Sequence, residues 1–194
     1  MPLLYVCRHG LTDWNAEGRL QGQADTDLSD IGRGQARRNG LLLREMIGDA
    51  REFDFVASPL KRTRETMEIV RAAMGLDPAG YETDARLMEL HFGDWQGFTF
   101  AELESRLPGS TRGRDADKWN FLPPGAGAES YAGLARRISP WLDGLTKPTV
   151  CVTHGGIVRS IFRLVGGLGD AEAATMSVPQ DRVLEMRDGK LAWL

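Results

Sequence analysis

Two short apolar segments, each followed by a histidine and a glycine, constrain the fold of this chain most strongly. The run from Leu3 to Cys7 shows no alternation of polar and apolar residues, and the run from Thr149 to Thr153 is similar. Continuous apolar runs of this length are typical of strands buried on both faces, which occur in parallel sheets covered by helices. The sequence therefore predicts an α/β fold.

Helical and extended patterns alternate along the rest of the chain. Ser29 stands where a helix N-cap is expected, and Ser58-Pro59 separates an extended run from a helical one. The predicted elements are a helix to about residue 47, a strand at 54–57, helices at 60–74, 99–107, 129–145 and 157–165, a weak extended segment at 86–90, and hairpin strands at 183–186 and 191–194. This alternation predicts a three-layer α/β/α fold with a mostly parallel central sheet and a C-terminal hairpin.

The length of 194 residues suits a single domain that spans the whole chain. Thr99 and Glu102 have the spacing of a capping box, and the segment Pro108–Ala128 is rich in proline and glycine. We therefore expect a lid-like insertion at about residues 98–128. The polar segment Thr12–Thr26 is expected to be a long loop, and such loops in compact domains usually carry function.

The charge balance and the cysteine content exclude several classes of protein. With 24 Lys and Arg against 27 Asp and Glu, the formal net charge is −3, so no nucleic-acid partner is expected. No apolar run approaches the roughly 20 residues of a membrane span, and no signal-peptide pattern occurs, so we expect a cytoplasmic protein without a membrane partner. Cys7 and Cys151 lie in strand-like runs and are expected to be buried free thiols. A homodimer would be unsurprising.

Polar groups are concentrated after two of the predicted strands. Arg8-His9-Gly10 follows the first strand, and His154-Gly155-Gly156 follows the strand at 149–153. Ligands of open α/β sheets bind beyond the carboxyl ends of the strands. A guanidinium beside an imidazole suits an oxyanion, and glycines such as Gly155 let the backbone approach it closely. A single buried histidine is more often a core residue, but two at equivalent strand ends indicate an anion site.

Two further side chains are expected at the same edge of the sheet. Arg62 lies near the start of the helix after Ser58-Pro59, where a cation is unfavourable unless an anion neutralises it. Glu89 lies near the end of the weak extended segment and is the preferred group for proton transfer. The competing carboxylates are expected at the surface, and they are Glu82, Asp84 and Asp94.

Four blocks of this sequence occur in a characteristic order. They are Arg8-His9-Gly10 with Asn15, Ser58 to Thr63, Glu89 before Phe92-Gly93, and Val152 to Gly156. Together they resemble the histidine phosphatase superfamily, also called phosphoglycerate-mutase-like, over essentially the whole chain. A three-residue motif alone would recur by chance, whereas four ordered blocks are specific.

The resemblance implies a mechanism without a metal ion or another cofactor. His9 would take the phosphoryl group onto a ring nitrogen, while Arg8, Arg62 and His154 would stabilise its oxygens. Glu89 would protonate the leaving alkoxide and then deprotonate the attacking water. The resemblance also implies secondary contacts to the substrate from Thr12, Asn15, Gln21 and Gly22.

The resemblance favours a phosphomonoesterase, a hydrolase, over a mutase. Arg19-Leu20-Gln21-Gly22 is similar to the phosphatase branches, whereas the mutases usually have a Thr-Gly-Trp pattern there. The mutases also carry an arginine directly after the glutamate, where this chain has Leu90, whose side chain cannot bind an anion. His91 matches the mutase pattern, but without that arginine it is interpreted as a residue at the pocket rim. Phosphoglycerate mutase-type phosphoryl transfer is the alternative function.

Two other classes of protein compete with this interpretation. A non-catalytic phosphate-binding module would be expected to lack the nucleophile, an arginine or the acid, and this chain lacks none of them. A metal-dependent hydrolase would need His9, His91 and His154 as ligands, yet no paired spacing such as H-E-x-x-H occurs.

The expected partner is a small-molecule phosphate ester, and the insertion is expected to select it. The basic residues of this segment could contact a second anionic group, and its aromatic residues could stack on a ring. The basic residues are Arg112, Arg114 and Lys118, and the aromatic ones are Trp119 and Phe121. A solvated loop anchored by the two aromatic side chains is the alternative.

Overall fold

The computed structural model describes residues 2–194. Within these residues the strands are β1 (Leu4–Arg8), β2 (Asp54–Ala57), β3 (Glu82–Thr83), β4 (Thr149–Thr153), β5 (Val183–Arg187) and β6 (Lys190–Trp193). The helices are α1 (Asp13–Ala16), α2 (Asp30–Ile47), α3 (Lys61–Met74), α4 (Phe100–Arg106), α5 (Arg112–Ala116), α6 (Tyr131–Asp143), α7 (Gly155–Leu164) and α8 (Asp170–Thr175). Short 3₁₀ helices occur at Ala50–Glu52, Ala85–Leu87 and Gly93–Trp95.

The six strands form one sheet in the order β3-β2-β4-β1-β5-β6. Strands β1, β2, β3 and β4 run parallel to one another, and β5 is antiparallel both to β1 and to β6, its partner in the hairpin. Arg8 lies opposite Thr153, and Ala57 lies opposite Val152, so the carboxyl ends of β1, β4 and β2 are aligned. The predicted mostly parallel sheet and C-terminal hairpin are confirmed.

Side chains that alternate along β1 enter two separate cores. Leu4 and Val6 pack in a cluster with residues of α6 and α7 on one face of the sheet. Tyr5 and Cys7 pack with residues of α2 and α3 on the other face. Since both faces of β1 are covered, its apolar run needs no polar alternation. The predicted three-layer α/β/α arrangement is therefore confirmed.

The cysteines follow the same alternation. Cys7 lies in the core beneath α2 and α3, whereas Cys151 of β4 lies in the core beneath α6 and α7. Both thiols are free and fully buried, as expected. None of the helices within residues 2–194 is long and apolar enough to cross a membrane.

Most helix starts agree with the sequence pattern. The Ser29 hydroxyl accepts a hydrogen bond from the Gly32 amide and caps α2, as predicted. Thr99 and Glu102 form the predicted capping box at the start of α4. Helix α7 begins at Gly155, two residues earlier than predicted, because His154 itself occupies the N-cap position.

The extended segment predicted at 86–90 is wrong. The edge strand β3 is only two residues long and lies before it, and the chain then forms the 3₁₀ helix Ala85–Leu87. The Asp84 carboxylate accepts a hydrogen bond from the Arg86 amide and stabilises this turn. Leu87 is buried, but in a turn packed under α6 rather than in a strand.

Three short helices were not expected from the sequence. Helix α1 interrupts the loop predicted at Thr12–Thr26, and α5 lies in the segment predicted to be irregular. Helix α8 follows α7. Each has at most six residues, which is too short for a helical pattern to be recognised.

Trp119, within the segment 98–128, packs against the core, and its ring stacks on that of Tyr131 with 5.7 Å between the ring centroids.

A close contact between two glycines positions the end of β1 against the start of α2. A Cβ atom on Gly10 would lie 2.3 Å from the carbonyl oxygen of Gly32, and one on Gly32 would lie 2.2 Å from the carbonyl oxygen of Leu11. Side chains at either position would therefore push the helix away from the strand end.

We predict that Gly32→Ala lowers the free energy of unfolding by about 1–3 kcal/mol, because the methyl group overlaps a backbone carbonyl. The matched control is Gly34→Ala in the same helix, where the nearest heavy atom is a flexible Arg38 nitrogen 3.7 Å away. It should raise the free energy of unfolding by up to ~1 kcal/mol, since alanine favours a helix over glycine. Urea denaturation of both variants measures the difference in their free energies of unfolding. Equal values would contradict the close contact between Gly32 and the end of β1.

Candidate active site

The aligned ends of three parallel strands bring the predicted polar residues together. The His9 amide donates to the Thr153 carbonyl oxygen at 2.9 Å, and the Ser58 amide donates to the Val152 carbonyl oxygen at 3.0 Å. These bonds extend the pairing of β1, β4 and β2 to the residues that follow each strand. The rings of His9 and His154 consequently lie 5.3 Å apart between centroids.

The hydrogen bonds of His9 show which ring nitrogen carries the lone pair. Nδ1 lies 2.8 Å from the Gly10 carbonyl oxygen, which only accepts, so Nδ1 carries the proton. Nε2 is therefore the nitrogen with a lone pair. It accepts a hydrogen bond from Nε of Arg62 at 3.3 Å. The Gly10 amide donates to the Thr66 hydroxyl, which holds this turn in place.

The environment keeps His9 neutral. Burial, together with the positive charges of Arg62 and Arg8, holds the pKa of His9 well below its usual value. The same causes lower the pKa of His154, where burial again contributes most and Arg62 has the largest effect among the charged groups. A neutral imidazole with a free Nε2 is a nucleophile without prior deprotonation.

Arg62 is the most buried cation of the site, with 1% of its surface exposed. Its two terminal nitrogens donate to the carbonyl oxygens of Ala24 and Gly22, each at 2.7 Å. Nη2 also lies 3.3 Å from Nδ1 of His154. Burial lowers the pKa of Arg62 to about 10, and the carboxylate of Glu89 partly offsets this effect. The guanidinium is thus charged at neutral pH and has only neutral hydrogen-bond acceptors.

Arg62 determines the tautomer of His154, and Ser58 is the partner of its other ring nitrogen. Since Arg62 donates to Nδ1, that nitrogen carries the lone pair, and Nε2 donates its proton to the Ser58 hydroxyl at 2.7 Å. Ser58 lies at the turn between β2 and α3, and it is fully buried. This serine belongs to a block that the sequence singled out, but its role as the partner of His154 was not predicted.

Arg8 contributes a donor without a partner. Its Nη1 donates to the Val178 carbonyl oxygen at 2.7 Å, whereas its Nε is buried and has no hydrogen-bond partner within residues 2–194. Nε lies 3.5 Å from the position that a Cβ on Gly155 would occupy. Gly155 therefore places no side chain beside this buried donor, which an oxyanion could satisfy.

Glu89 is held at the N-terminus of α7. Its Oε2 accepts a hydrogen bond from the Gly156 amide, and its Oε1 accepts one from the Leu90 amide, each at 3.0 Å. A Cβ on Gly156 would lie 2.1 Å from Oε1, so glycine is needed for this approach. The carboxylate lies near enough to Arg8 and Arg62 to raise the pKa of each, against the larger effect of burial.

The loop after β1 uses its polar side chains mainly within itself. Thr12 is fully buried, and its hydroxyl caps α1 by accepting from the Asn15 amide and donating to the Asn15 side-chain oxygen. That oxygen also accepts from Nε2 of Gln180, which donates to the His9 carbonyl oxygen as well. Gln180 is not among the predicted residues, because nothing in its local sequence connects it with β1.

Gly22 contacts Arg62, whereas Gln21 is hydrogen-bonded within its own loop. The Gln21 side-chain oxygen accepts from the Thr26 hydroxyl at 2.7 Å. Gly22 has a φ of +53°, and a Cβ there would lie 2.2 Å from Oε1 of Gln96, so this position requires glycine. Through its carbonyl oxygen Gly22 orients the guanidinium of Arg62.

Arg159 is a further cation at this edge of the sheet and is not among the predicted residues. It lies on α7, and its Nη1 is 3.4 Å from the position of a Cβ on Gly155. Its Nε donates to the Met176 carbonyl oxygen, and Nη1 lies 3.4 Å from the Tyr131 hydroxyl. Sequence analysis could have found Arg159 from its position, about one helical turn after Gly155 and Gly156, which follow β4.

His91 and Arg64 lie outside this cluster. The Gly93 amide donates to Nδ1 of His91 at 2.9 Å, so the ring stabilises the turn after Glu89. Arg64 is exposed on α3. Within residues 2–194 no group of three or more His, Cys, Asp and Glu side chains is arranged to hold a metal ion.

A cleft of about 600 Å³ lies away from this site, near the start of β2 and β4 at the opposite end of the sheet, where Asp54 and Thr149 line it. It is larger than two other pockets among the residues described, which have volumes of about 190 and 350 Å³. The chemistry nevertheless belongs at the carboxyl ends, because the two histidines and the partly unpaired arginine converge there.

Comparison with known proteins gives one family over nearly the whole chain. The model of the histidine phosphatase superfamily (branch 1) matches residues 4–190. The glucosyl-3-phosphoglycerate phosphatase of Mycolicibacterium vanbaalenii is 34% identical, with 87% of this chain and 80% of that protein covered. The metal-independent phosphoserine phosphatase of Arabidopsis thaliana is 31% identical, with 96% of this chain and 77% of that protein covered.

A solved phosphatase structure is also similar. The structure of a mycobacterial glucosyl-3-phosphoglycerate phosphatase with VO3 superposes with a TM-score of 0.77 at 29% identity, covering 100% of this chain and 96% of that one.

We predict that neither His9 nor His154 takes up a proton between about pH 6 and pH 8, because burial and adjacent arginines lower the pKa of both rings. Nitrogen NMR shifts of the two rings should stay constant over this range, with His9 protonated on Nδ1. The control is the protein unfolded in urea, in which every histidine should titrate near its usual pKa of about 6.5. Titration of His9 above about pH 6 in the folded protein would contradict the description.

Proposed function

The chain belongs to the histidine phosphatase superfamily, and we propose that His9 is the residue through which it hydrolyses phosphate monoesters. The observation that supports this assignment best is the uncharged His9 ring, whose Nε2 lone pair faces the buried guanidinium of Arg62. A nucleophile beside fixed positive charge is suited to a dianionic phosphoryl group.

The first step transfers the phosphoryl group to His9. The lone pair of Nε2 forms a bond with phosphorus while the bond between phosphorus and the ester oxygen breaks. The ester oxygen leaves with the electron pair of that bond and takes a proton from Glu89. The Nδ1–H bond to the Gly10 carbonyl oxygen stabilises the positive charge that develops on the ring.

The second step returns the enzyme to its starting state. A water oxygen attacks phosphorus, Glu89 accepts a proton of that water, and the bond between phosphorus and Nε2 breaks with its electron pair returning to nitrogen. Glu89 is supported for both roles by its position at the start of α7, held through the Gly156 and Leu90 amides.

Positive charge for the phosphoryl oxygens comes from the arginines. The unpaired Nε of Arg8 and the buried guanidinium of Arg62 supply the electrostatic stabilisation that metal ions provide in other phosphoryl-transfer sites. Burial contributes most to the lowered pKa of His154, and the charges of Arg62 and Arg8 add to it, so a bound dianion offsets the effect of those charges. The His154 ring, 5.3 Å from that of His9, is proposed to stabilise a phosphoryl oxygen.

Hydrolysis is favoured over mutase-type transfer by the two residues after Glu89. Leu90 is buried, lies against the pocket beside the site, and offers no donor to a substrate anion. His91 accepts a hydrogen bond from the Gly93 amide and lies outside the histidine cluster. A bound intermediate would therefore not be held by these two residues during a second transfer.

We also propose a small-molecule phosphate ester as the substrate and the cytoplasm as the place of action. His9 is almost fully buried, which suits a small ester better than a bulky macromolecule. The relatives from Mycolicibacterium vanbaalenii and Arabidopsis thaliana are phosphatases of glucosyl-3-phosphoglycerate and phosphoserine, respectively. The two unpaired thiols, Cys7 and Cys151, are compatible with a reducing compartment.

We predict that His9→Ala abolishes phosphate release, with a loss of at least about 1,000-fold, because no covalent intermediate can form. The measurement is release of inorganic phosphate from a panel of phosphate monoesters in EDTA. Wild-type enzyme quenched during turnover should carry an acid-labile, alkali-stable phosphoryl group on His9. The matched control, His91→Gln, should stay within about 5-fold of wild-type activity, since His91 lies outside the cluster. Wild-type rates in His9→Ala would overturn the mechanism.

The same panel distinguishes hydrolysis from mutase-type transfer. It includes 3-phosphoglycerate with its bisphosphate primer, assayed for both inorganic phosphate and 2-phosphoglycerate. Release of phosphate that depends on His9 supports the phosphatase. Formation of the isomer without release of phosphate would show that the enzyme is a mutase.

We predict that Glu89→Gln slows hydrolysis of alkyl phosphates by about 100-fold or more, because an alkoxide needs a proton as it leaves. Formation of the phosphoenzyme from p-nitrophenyl phosphate should be slowed far less, since nitrophenolate leaves without one. Rapid-quench kinetics of the first turnover measures both rates. Glu82→Gln, at an exposed position on β3, is the control and should have no effect. If both substrates were slowed equally, Glu89 would not be the general acid.

A further inference from the structure

A second pocket adjoins the proposed phosphoryl site. It has a volume of about 190 Å³, and its walls come mainly from residues 90–123, from Tyr131 at the start of α6 and from Arg159 of α7. Leu90 and Phe92, which follow Glu89, form part of its wall, and Phe121 of the insertion forms another part. Leu90 directly follows Glu89, and Arg159, which also lines the pocket, lies beside Gly155 together with Arg8. We name this pocket the insertion pocket.

Three cations and no carboxylate line the insertion pocket among the residues described. The cations are Arg114, Lys118 and Arg159, and the remaining lining residues are apolar or aromatic. A wall of this composition attracts an anion and also excludes water from it, which strengthens the attraction.

Two of these cations have no acidic partner among residues 2–194. Arg159 has only the Met176 carbonyl oxygen and the Tyr131 hydroxyl within hydrogen-bond distance. Lys118 lies over the Tyr131 ring at 5.7 Å and forms no salt bridge with any described residue. Arg114 differs, because it pairs with the exposed Asp115 and stacks on Phe100 at 4.0 Å.

The electrostatics of Lys118 favour the binding of an anion. Burial and the guanidinium groups of Arg159 and Arg114 lower the pKa of Lys118 to about 8. Three like charges around one small cavity repel each other, and a bound anion would relieve that repulsion.

From this geometry we propose that the insertion pocket binds a second acidic group of the substrate through Lys118 and Arg159, so that the enzyme prefers phosphate monoesters that also carry a carboxylate. This inference rests on the proposed function, because the phosphoryl group of the same molecule must lie at His9. The pocket is smaller than the roughly 300–1,000 Å³ of sites that enclose a whole drug-sized ligand. It therefore suits one end of a small substrate.

Arg159 connects the two halves of the site. Its Nη1 and the Nε of Arg8 lie 3.4 and 3.5 Å, respectively, from the same point beside Gly155. One guanidinium thus borders both the phosphoryl site and the insertion pocket. Lys118 lines the insertion pocket and has no contact with the histidine cluster, which makes it the residue to test. Arg112, grouped with it in the sequence, is exposed on α5 and does not line the pocket.

The test compares matched pairs of substrates that differ in one negative charge. The pairs are 3-phosphoglycerate with glycerol 3-phosphate, and 4-carboxyphenyl phosphate with 4-carbamoylphenyl phosphate. We expect wild-type kcat/KM to favour the acid by about tenfold or more in at least one pair. Lys118→Met should lower kcat/KM for the acid by about 10- to 100-fold, as expected for loss of one charge-assisted contact. It should lower kcat/KM for the neutral partner by less than about twofold.

Two variants serve as controls. Lys118→Arg should restore the preference for the acid, because it keeps the charge. Arg112→Met removes a cation from the same insertion but outside the pocket, and it should leave the preference unchanged. Retained turnover of the neutral partner shows that each variant is folded.

Failure of this inference can be told apart from failure of the proposed function. Calorimetric binding of each pair to His9→Ala measures the preference for the acid without turnover. Tighter binding of the acid that depends on Lys118 supports the insertion pocket even if no phosphate is released. The absence of any preference in both pairs, or a preference that survives Lys118→Met, would overturn it, whether or not the enzyme is a phosphatase.

Discussion

The buried guanidinium of Arg62 organises the whole site. It donates to the carbonyl oxygens of Gly22 and Ala24, and it contacts the ring nitrogens of His9 and His154. One side chain therefore joins the loop after β1 to the ends of β1 and β4. Within residues 2–194 no carboxylate is bonded to it, and a buried cation of this kind is costly unless an anion binds. This cost supports the proposal that a phosphoryl group binds beside Arg62.

The cationic surroundings also decide the state of the two histidines. Desolvation and adjacent arginines keep both rings neutral, while the Gly10 carbonyl oxygen and the Arg62 guanidinium select opposite tautomers for them. His9 presents a lone pair on Nε2, and His154 presents one on Nδ1. The two histidines can therefore have different roles although their local sequences are alike, because the hydrogen-bond partners of each ring decide which nitrogen carries the proton.

The sequence by itself determined the sheet, its covering helices and the residues at the strand ends. Apolar runs such as Leu4–Cys7 suit strands buried on both faces, and His9 and His154 follow directly from where those strands end. The sequence also singled out Glu89, but the strand predicted before it is a 3₁₀ turn, because the Asp84 cap competes with pairing at the edge of the sheet. The local pattern of polar and apolar residues does not show whether a side-chain cap or strand pairing will be more stable.

Only the tertiary structure decided which distant groups meet. Ser58 and His154 are 96 positions apart, and Gln180 reaches His9 over 171 positions. The charges of Arg159 and Lys118 come from separate segments, α7 and the insertion, and act together only because these segments enclose one pocket. Strand ends follow from where an apolar run stops along the chain, whereas the partners of a side chain depend on which distant segments pack together.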